Sequence, residues 1–494
     1  MIRFGSFLID PRTWLLTHDG RNVDLSPRLV EILAYIVARN GDIVTKDELL
    51  ERFWPDVHVT ENTLTRAIAD IRKAIKDDAA EPRYLQTVSR RGYRYSGGSE
   101  GSEGSEGSEG SGGSEGSGGS DPFQEWVKGR LALDSLDANK LNDAVRAFER
   151  TAAELPQYAP AHAGLANAYL LQYEKTRSGL SPDRALLERA MAAARRASSI
   201  DPNLGEAWAV LGYLLCAAGK NEEGQAAVRR ATALEPDNWR HHYRLAYCGW
   251  GEERLRAVDR TLALMPGFAP ARLLACMVFV ARGTMDRAER EAATGAEAQR
   301  QHHRQHAPLP AVGHHWLHGI ILCARGRIEE ALACFEEEIA EAAGGHVYGA
   351  EFAVNACVAA GFTHLSRGNL GAASAAFSRA LEASPGHPKA RVGEYAVSLR
   401  SPHSIEIEPA RRAVEDAIAA LHQHGRDVEA ALVAAGMKIA GGGIAEAMTA
   451  LDRLLETAPP GAAGWIIPVD PMLAPIRENP GKTTLFSRLA ARAV

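Results

Sequence analysis

Between residues 60 and 76 the apolar positions Leu64, Ile68, Ile71 and Ile75 recur at the three- and four-residue spacing of an amphipathic helix. That stripe demands a core. The opposite face carries Asn62, Thr65, Arg66, Ala69 and Lys73: hydrogen-bonding side chains, a short residue that permits close approach, and two cations. Such a set suits a helix that enters a DNA major groove, where base edges offer donors and acceptors. Taken alone such a face is more often the surface of a solvated helix, and the neighbouring elements decide between the two readings.

Upstream, Ser26 followed by Pro27 predicts an N-cap and a first helical residue, and Leu29, Ile32, Leu33, Ile36 and Val37 form an apolar stripe that stops at Asn40-Gly41. A second helix opens at Thr45, with Glu48 at capping-box spacing, and buries Leu49, Leu50 and Phe53 before Trp54-Pro55 ends it. From Ile2 to Val23, short apolar runs (Phe4, Phe7 and Ile9; Trp14 and Leu16) broken by Asp10-Pro11 and Asp19-Gly20 predict a small antiparallel sheet. Downstream, residues 84–88 and 93–95 flank Ser89-Arg90-Arg91-Gly92, which reads as a hairpin with a basic tip.

These residues resemble the winged-helix domain of the OmpR, ToxR and CadC transcription factors. The resemblance rests on Leu25-Ser26-Pro27, Val44-Thr45-Lys46-Asp47-Glu48-Leu49-Leu50, Phe53-Trp54, the helix at 60–76 and Thr87-Val88-Ser89-Arg90-Arg91-Gly92-Tyr93-Arg94-Tyr95, and it runs over residues 1–96 in order and without gaps. It implies an α+β winged helix-turn-helix whose third helix lies in the major groove and whose hairpin wing sets an Arg in or beside the minor groove. The loop between the second and third helices is then expected to touch RNA polymerase. By position, the DNA contacts fall on Asn62, Thr63, Thr65, Arg66, Arg72, Lys73, Arg90 and Arg91, and the polymerase contact on Trp54, Pro55, Asp56, Val57, His58 and Val59. Asp70 stands where several relatives carry a base-contacting Arg, so their target sequence does not transfer.

Many relatives place a phosphorylated receiver ahead of this domain or a membrane helix after it. Here the pattern starts at Met1, and the longest apolar stretch, around Ala271 to Ala281, falls far short of the ~20 residues a span needs. With no signal peptide recognisable, a cytoplasmic setting without a membrane is expected.

Residues 97–120 contain only Gly, Ser and Glu. With nothing apolar to bury, this segment reads as a flexible linker, engineered in place of a native connection, with natural low complexity as the alternative. Its root-mean-square span is about 27 Å, too slack to fix the orientation of what it joins.

From 121 to 494 the pattern becomes an all-α repeat. Phe148 to Pro156, Ala194 to Pro202, Val228 to Pro236 and Phe377 to Pro385 share one spacing, and the clearest unit is Trp208, Leu211-Gly212, Leu215, Gly219, Gly224, Val228, Ala231, Pro236. It follows the 34-residue tetratricopeptide (TPR) pattern with Leu215 for Tyr and Gly224 for Ala, and Ala144 with Phe148, Ala331 with Phe335 and Ala373 with Phe377 repeat its second half. Roughly eight or nine helix pairs fit, forming a TPR-like superhelix. The distance from Pro156 to Pro202 exceeds the repeat length, which predicts an insertion near Tyr173 to Pro182.

Charge changes the picture only through its placement. The chain is at -6, and residues 1–96 hold 15 Lys and Arg against 14 Asp and Glu, so no global basic field announces a nucleic acid. Other signals are discounted. His302, His303, His306, His314, His315 and His318 crowd one stretch, yet no Cys or carboxylate completes an obvious ligand set, so they read as structural or solvated and no metal or cofactor is expected. Gly481-Lys482-Thr483 mimics a P-loop end, but Ile476 stands where the first Gly belongs. Six cysteines without a C-x-x-C pair read as reduced packing residues, and no enzyme signature is present.

The expected function is sequence-specific transcription regulation, as an activator, on double-stranded DNA. The TPR half would sense a protein or small-molecule effector or mediate homo-oligomerisation, an arrangement similar to regulators of the HilA kind. The alternative is a repeat scaffold for which the winged helix serves as an anchor.

Overall fold

The computed structural model describes residues 2–10, 15–19, 21–23, 25, 27–39, 41–53, 61–79, 81–88, 91–97, 122–177, 179–305, 311–341, 345–401, 406–459 and 461–494. The N-terminal unit opens with a four-stranded antiparallel meander, β1 (Ile2–Phe4), β2 (Phe7–Asp10), β3 (Leu15–His18) and β4 (Arg21–Val23). Ile9 pairs with Leu16 across it, and both are fully buried. Three helices follow, α1 (Pro27–Ala38), α2 (Lys46–Phe53) and α3 (Glu61–Ile75). The short β5 (Val44–Thr45) precedes α2 and joins the closing hairpin β6 (Leu85–Val88) and β7 (Gly92–Tyr95) in the order β5-β7-β6.

The stripe expected on α3 is the one buried: Leu64, Ile68, Ile71 and Ile75 are each at most 1% exposed and share a core with Leu33, Ile36, Leu49, Val44 and Leu85. Each such side chain contributes about 1.5–3 kcal/mol on leaving water, so α3 is held by its packed face and not by helix propensity. The capping box at α2 is half formed. Thr45 Oγ1 accepts from the Glu48 N–H at 3.1 Å, whereas the Glu48 carboxylate turns to Tyr35 and Arg39 of the first helix and its C-terminal flank. Tyr84 docks edge-on against Phe4 and Phe7, fastening the meander to the hairpin sheet.

From residue 122 the described residues form nine consecutive antiparallel helix pairs, from Pro122–Asp134 with Leu141–Glu154 to Asp427–Ala440 with Ile444–Thr457, closed by short helices that end at Ala491. Phe148, Phe335 and Phe377 are fully buried, and each ring fills the space left by a facing glycine. A Cβ at Gly164 would stand 2.4 Å from the Phe148 ring, at Gly319 2.4 Å from Phe335, and at Gly393 2.3 Å from Phe377. Small-against-aromatic packing is therefore what the repeat spacing encodes.

The expected insertion lies between the helices Ala159–Glu174 and Arg184–Ile200, and it closes the superhelix on itself. Arg426 donates to the Gly179 carbonyl, Arg184 donates to the His424 carbonyl, and Leu180 packs among the C-terminal repeats. A second closure runs from Ala138 N to Gly345 O and from Val347 N to Leu136 O, both at 2.9 Å. Among the described residues no helix is long and apolar enough to cross a membrane.

Candidate nucleic-acid interface

With its apolar stripe fixed, α3 presents Thr65, Arg66, Ala69, Asp70 and Lys73 to solvent. Asn62 and Thr63 lie in the first turn, with side chains outside the described residues. Helix dipole and free N–H groups make that end favourable for phosphate. Arg72 points elsewhere. It is half-buried, and its Nη2 donates to Leu85 O at 2.7 Å and to Thr87 Oγ1 at 2.8 Å, which locks α3 to the outer strand of the hairpin. Of the cations expected to meet DNA, this one is already engaged in holding helix and wing at a fixed angle.

The wing has two further supports. Gly92 passes so close to β5 that a Cβ there would lie 1.9 Å from the Val44 carbonyl oxygen, so only glycine lets the short strand pair. Asp77, 7% exposed just after α3, accepts from the backbone N–H groups of Arg83 at 2.6 Å, Tyr84 at 3.1 Å and Leu85 at 2.8 Å. A carboxylate held by three donors fixes the turn that leads into β6. Neither support is visible as a motif, because both depend on which backbone the fold brings near.

Arg91 is exposed at the turn of the hairpin, while Arg94 bonds Gln86 across the strands, its Nε at 3.0 Å from Oε1. Arg90 lies outside the described residues, as do Trp54, Pro55, Asp56, Val57, His58 and Val59 of the expected polymerase loop. Arg66, Lys73 and Arg91 therefore stand on one braced unit of helix and wing. Its chemistry is that of a polar surface bearing cations that suit phosphate, with Asp70 beside them on the helix face.

Of the crowded histidines, the side chains of His314, His315 and His318 are described. His314 and His315 are fully buried; burial, with the neighbouring His315 and Arg272 charges, pushes the His314 imidazole down to about 3, so it stays neutral. The side chains of His302 and His303, and all of His306, lie outside the described residues. No group of three or more His, Cys, Asp or Glu suited to a metal occurs among the described residues, and all six cysteines are free.

Meander, tri-helical core and braced hairpin define a winged helix-turn-helix DNA-binding domain, here followed by a TPR-like superhelix. Residues 20–95 match the family described as transcriptional regulatory protein, C terminal, which makes this an OmpR/PhoB-type domain. The transcriptional activator CadC of Escherichia coli K12 is 34% identical over 95 residues, covering 19% of this chain and 19% of that protein. The transcriptional regulator HilA of Salmonella typhimurium LT2 is 32% identical over 93 residues, covering 19% and 16%. The chain matches less than a fifth of the length of either relative. Among solved structures, a thermophilic TPR protein of Thermus thermophilus is 22% identical with a TM-score of 0.28, over 31% of this chain and 79% of that one.

Proposed function

We propose that the chain is a sequence-specific transcription regulator, acting as an activator in the cytoplasm, with Asn62, Thr63, Thr65 and Arg66 reading bases and Lys73, Arg90 and Arg91 gripping the backbone. The observation that carries this is the exposed polar face of α3 on a helix pinned by Arg72 to the wing. Arg72 then acts by setting the angle between the two DNA-facing elements. The similarity of the N-terminal domain to CadC and HilA supports the class, and activation is brought to this chain from CadC.

The repeat half supplies the regulatory input, through an effector or by pairing two copies. A ligand shifts the DNA-competent population only if it binds the two states differently, and a linker of Gly, Ser and Glu alone would transmit little torque. Direct docking is the supported route: Arg130 and Asp134 of the first repeat helix lie within electrostatic reach of Glu31 in α1 and Arg52 in α2, while the polar face of α3 stays uncovered.

Activation is tested by transcription from a bound promoter in a purified system. Joint replacement of Val57 and His58 by alanine is expected to abolish stimulation of RNA polymerase while leaving DNA affinity unchanged. Unchanged stimulation would remove the polymerase role from this loop, and parallel loss of affinity would assign the loop to the fold of the domain.

A further inference from the structure

The closure of the superhelix beside the insertion borders a half-open cavity of about 740 Å³, large enough for a small molecule. Tyr173, Glu174, Arg177, Tyr247, Glu351 and Arg426 are among the residues that line it. Because Arg426 and Arg184 tie the insertion to the C-terminal repeats, the space beside them is better suited to a compact ligand than to an extended peptide.

The polar groups in this cavity are unevenly satisfied. Each cation is already engaged: Arg426 with Glu429 and the Gly179 carbonyl, Arg184 with the His424 carbonyl, and Arg177 between Glu174 at 3.1 Å and Glu351 at 3.5 Å. One acceptor is not: Glu174 is only 2% exposed and its Oε1 has no hydrogen-bond partner, whereas Glu351 meets Arg177 through both carboxylate oxygens, Oε1 with Nη2 and Oε2 with Nε, each at 3.5 Å. Two carboxylates thus share one guanidinium, and Glu174 keeps an unfilled acceptor oxygen in a desolvated site, where an unmet acceptor is costly. Tyrosine rings surround them. Tyr213 and Tyr247 stack at 4.1 Å, Tyr213 Oη donates to Glu174 Oε2 at 3.5 Å, and Arg177 already sits over the Tyr348 ring at 5.8 Å. Carboxylate acceptors beside aromatic faces are the two elements that recognise a cation carrying N–H donors.

We propose that this cavity is the effector site of the repeat half and that it takes a small organic cation, an amine or guanidine compound, whose N–H groups meet the unfilled Glu174 Oε1 and share the Glu351 carboxylate with Arg177. Burial raises the Glu174 carboxyl above the usual range, and a bound cation would draw it back to the ionised form. The proposal rests on the reading that the repeats sense an effector, but the existence of the site is separable from that reading. A ligand bridging Glu174 and Glu351 joins the N-terminal repeats to the C-terminal ones, so it would favour the closed ring.

The test uses the full chain with agmatine and phenethylamine as probes and glutarate as the anionic control, read by calorimetry and by thermal melting. At least one cation is expected to bind and raise Tm, glutarate to do neither, and Glu174→Gln to weaken the cation by about tenfold or more. Because a buried substitution can unsettle the fold, Glu351→Gln is measured in parallel, with circular dichroism to verify the helix content; it too is expected to weaken the cation. Binding of glutarate in preference to the cations, binding by neither cation at millimolar concentration, or cation affinity unchanged in both folded variants would overturn the site. Cation binding lost in the variants but without any effect on DNA affinity would leave the site standing and defeat the sensing reading instead.

Discussion

Raising salt from 50 to 200 mM is expected to weaken the chain's grip on duplex DNA by about 100-fold, the loss that follows when some four phosphates are neutralised and their counterions released. Lys73, Arg90 and Arg91 are the side chains proposed to supply much of that slope. Replacing Lys73 by alanine should flatten the log-log dependence by about 1 without altering sequence preference. Arg66→Ala should behave differently. Arg66 is exposed on the polar face near the start of α3, where recognition helices meet base edges, so its loss is expected to relax preference at one or two base pairs at ~1–3 kcal/mol. Fluorescence anisotropy on matched and scrambled duplexes across a salt series separates the two. Equal weakening on every sequence would make Arg66 a phosphate contact.

In the repeat half the largest effect is expected from Phe377→Ala. Its ring is fully buried between Gly361 and Gly393, whose added Cβ atoms would lie 2.5 and 2.3 Å from it, and edge-on to Phe362 at 4.9 Å, so its two glycine neighbours have no side chain with which to fill the vacated space. Loss of transfer energy plus the cavity should cost about 3–5 kcal/mol. Since each repeat is stabilised mainly by its neighbours, the C-terminal pairs should melt separately from the N-terminal ones. Urea denaturation followed by circular dichroism checks this. A single transition with less than about 1 kcal/mol of loss would show that the repeats collapse around the void.

Much of this was legible in the sequence because it is written in local periodicity. The stripe on α3, the meander strands and the aromatic-and-glycine spacing of the repeats each follow from one helix or hairpin and its immediate partner. Arg72 was not legible. At 100° per residue it lies 40° from Ile68, on the border between the stripe and the polar face, and only the position of β6 decides which way it turns. Asp77 is similar, since the N–H groups it captures belong to a turn six to eight residues on. The insertion near Tyr173 was visible as a break in spacing, but its role was not: the contacts that give it meaning reach residues some 240 positions away. The polymerase loop and Arg90 rest on the resemblance alone.

The central claim, that the repeats govern DNA binding by the winged helix, is tested most directly by measuring operator affinity and sedimentation for residues 1–96 and for the full chain, at matched salt and over a range of protein concentration. The N-terminal unit has its own core of Leu33, Leu49, Leu64, Ile68 and Ile71, so the fragment is expected to fold and bind. The account predicts that the full chain differs from it, either in affinity or by placing two copies on adjacent half-sites. Identical affinities with a strictly monomeric full chain on DNA, in the presence and absence of cell extract, would contradict it and leave the repeats as a scaffold that the winged helix merely anchors.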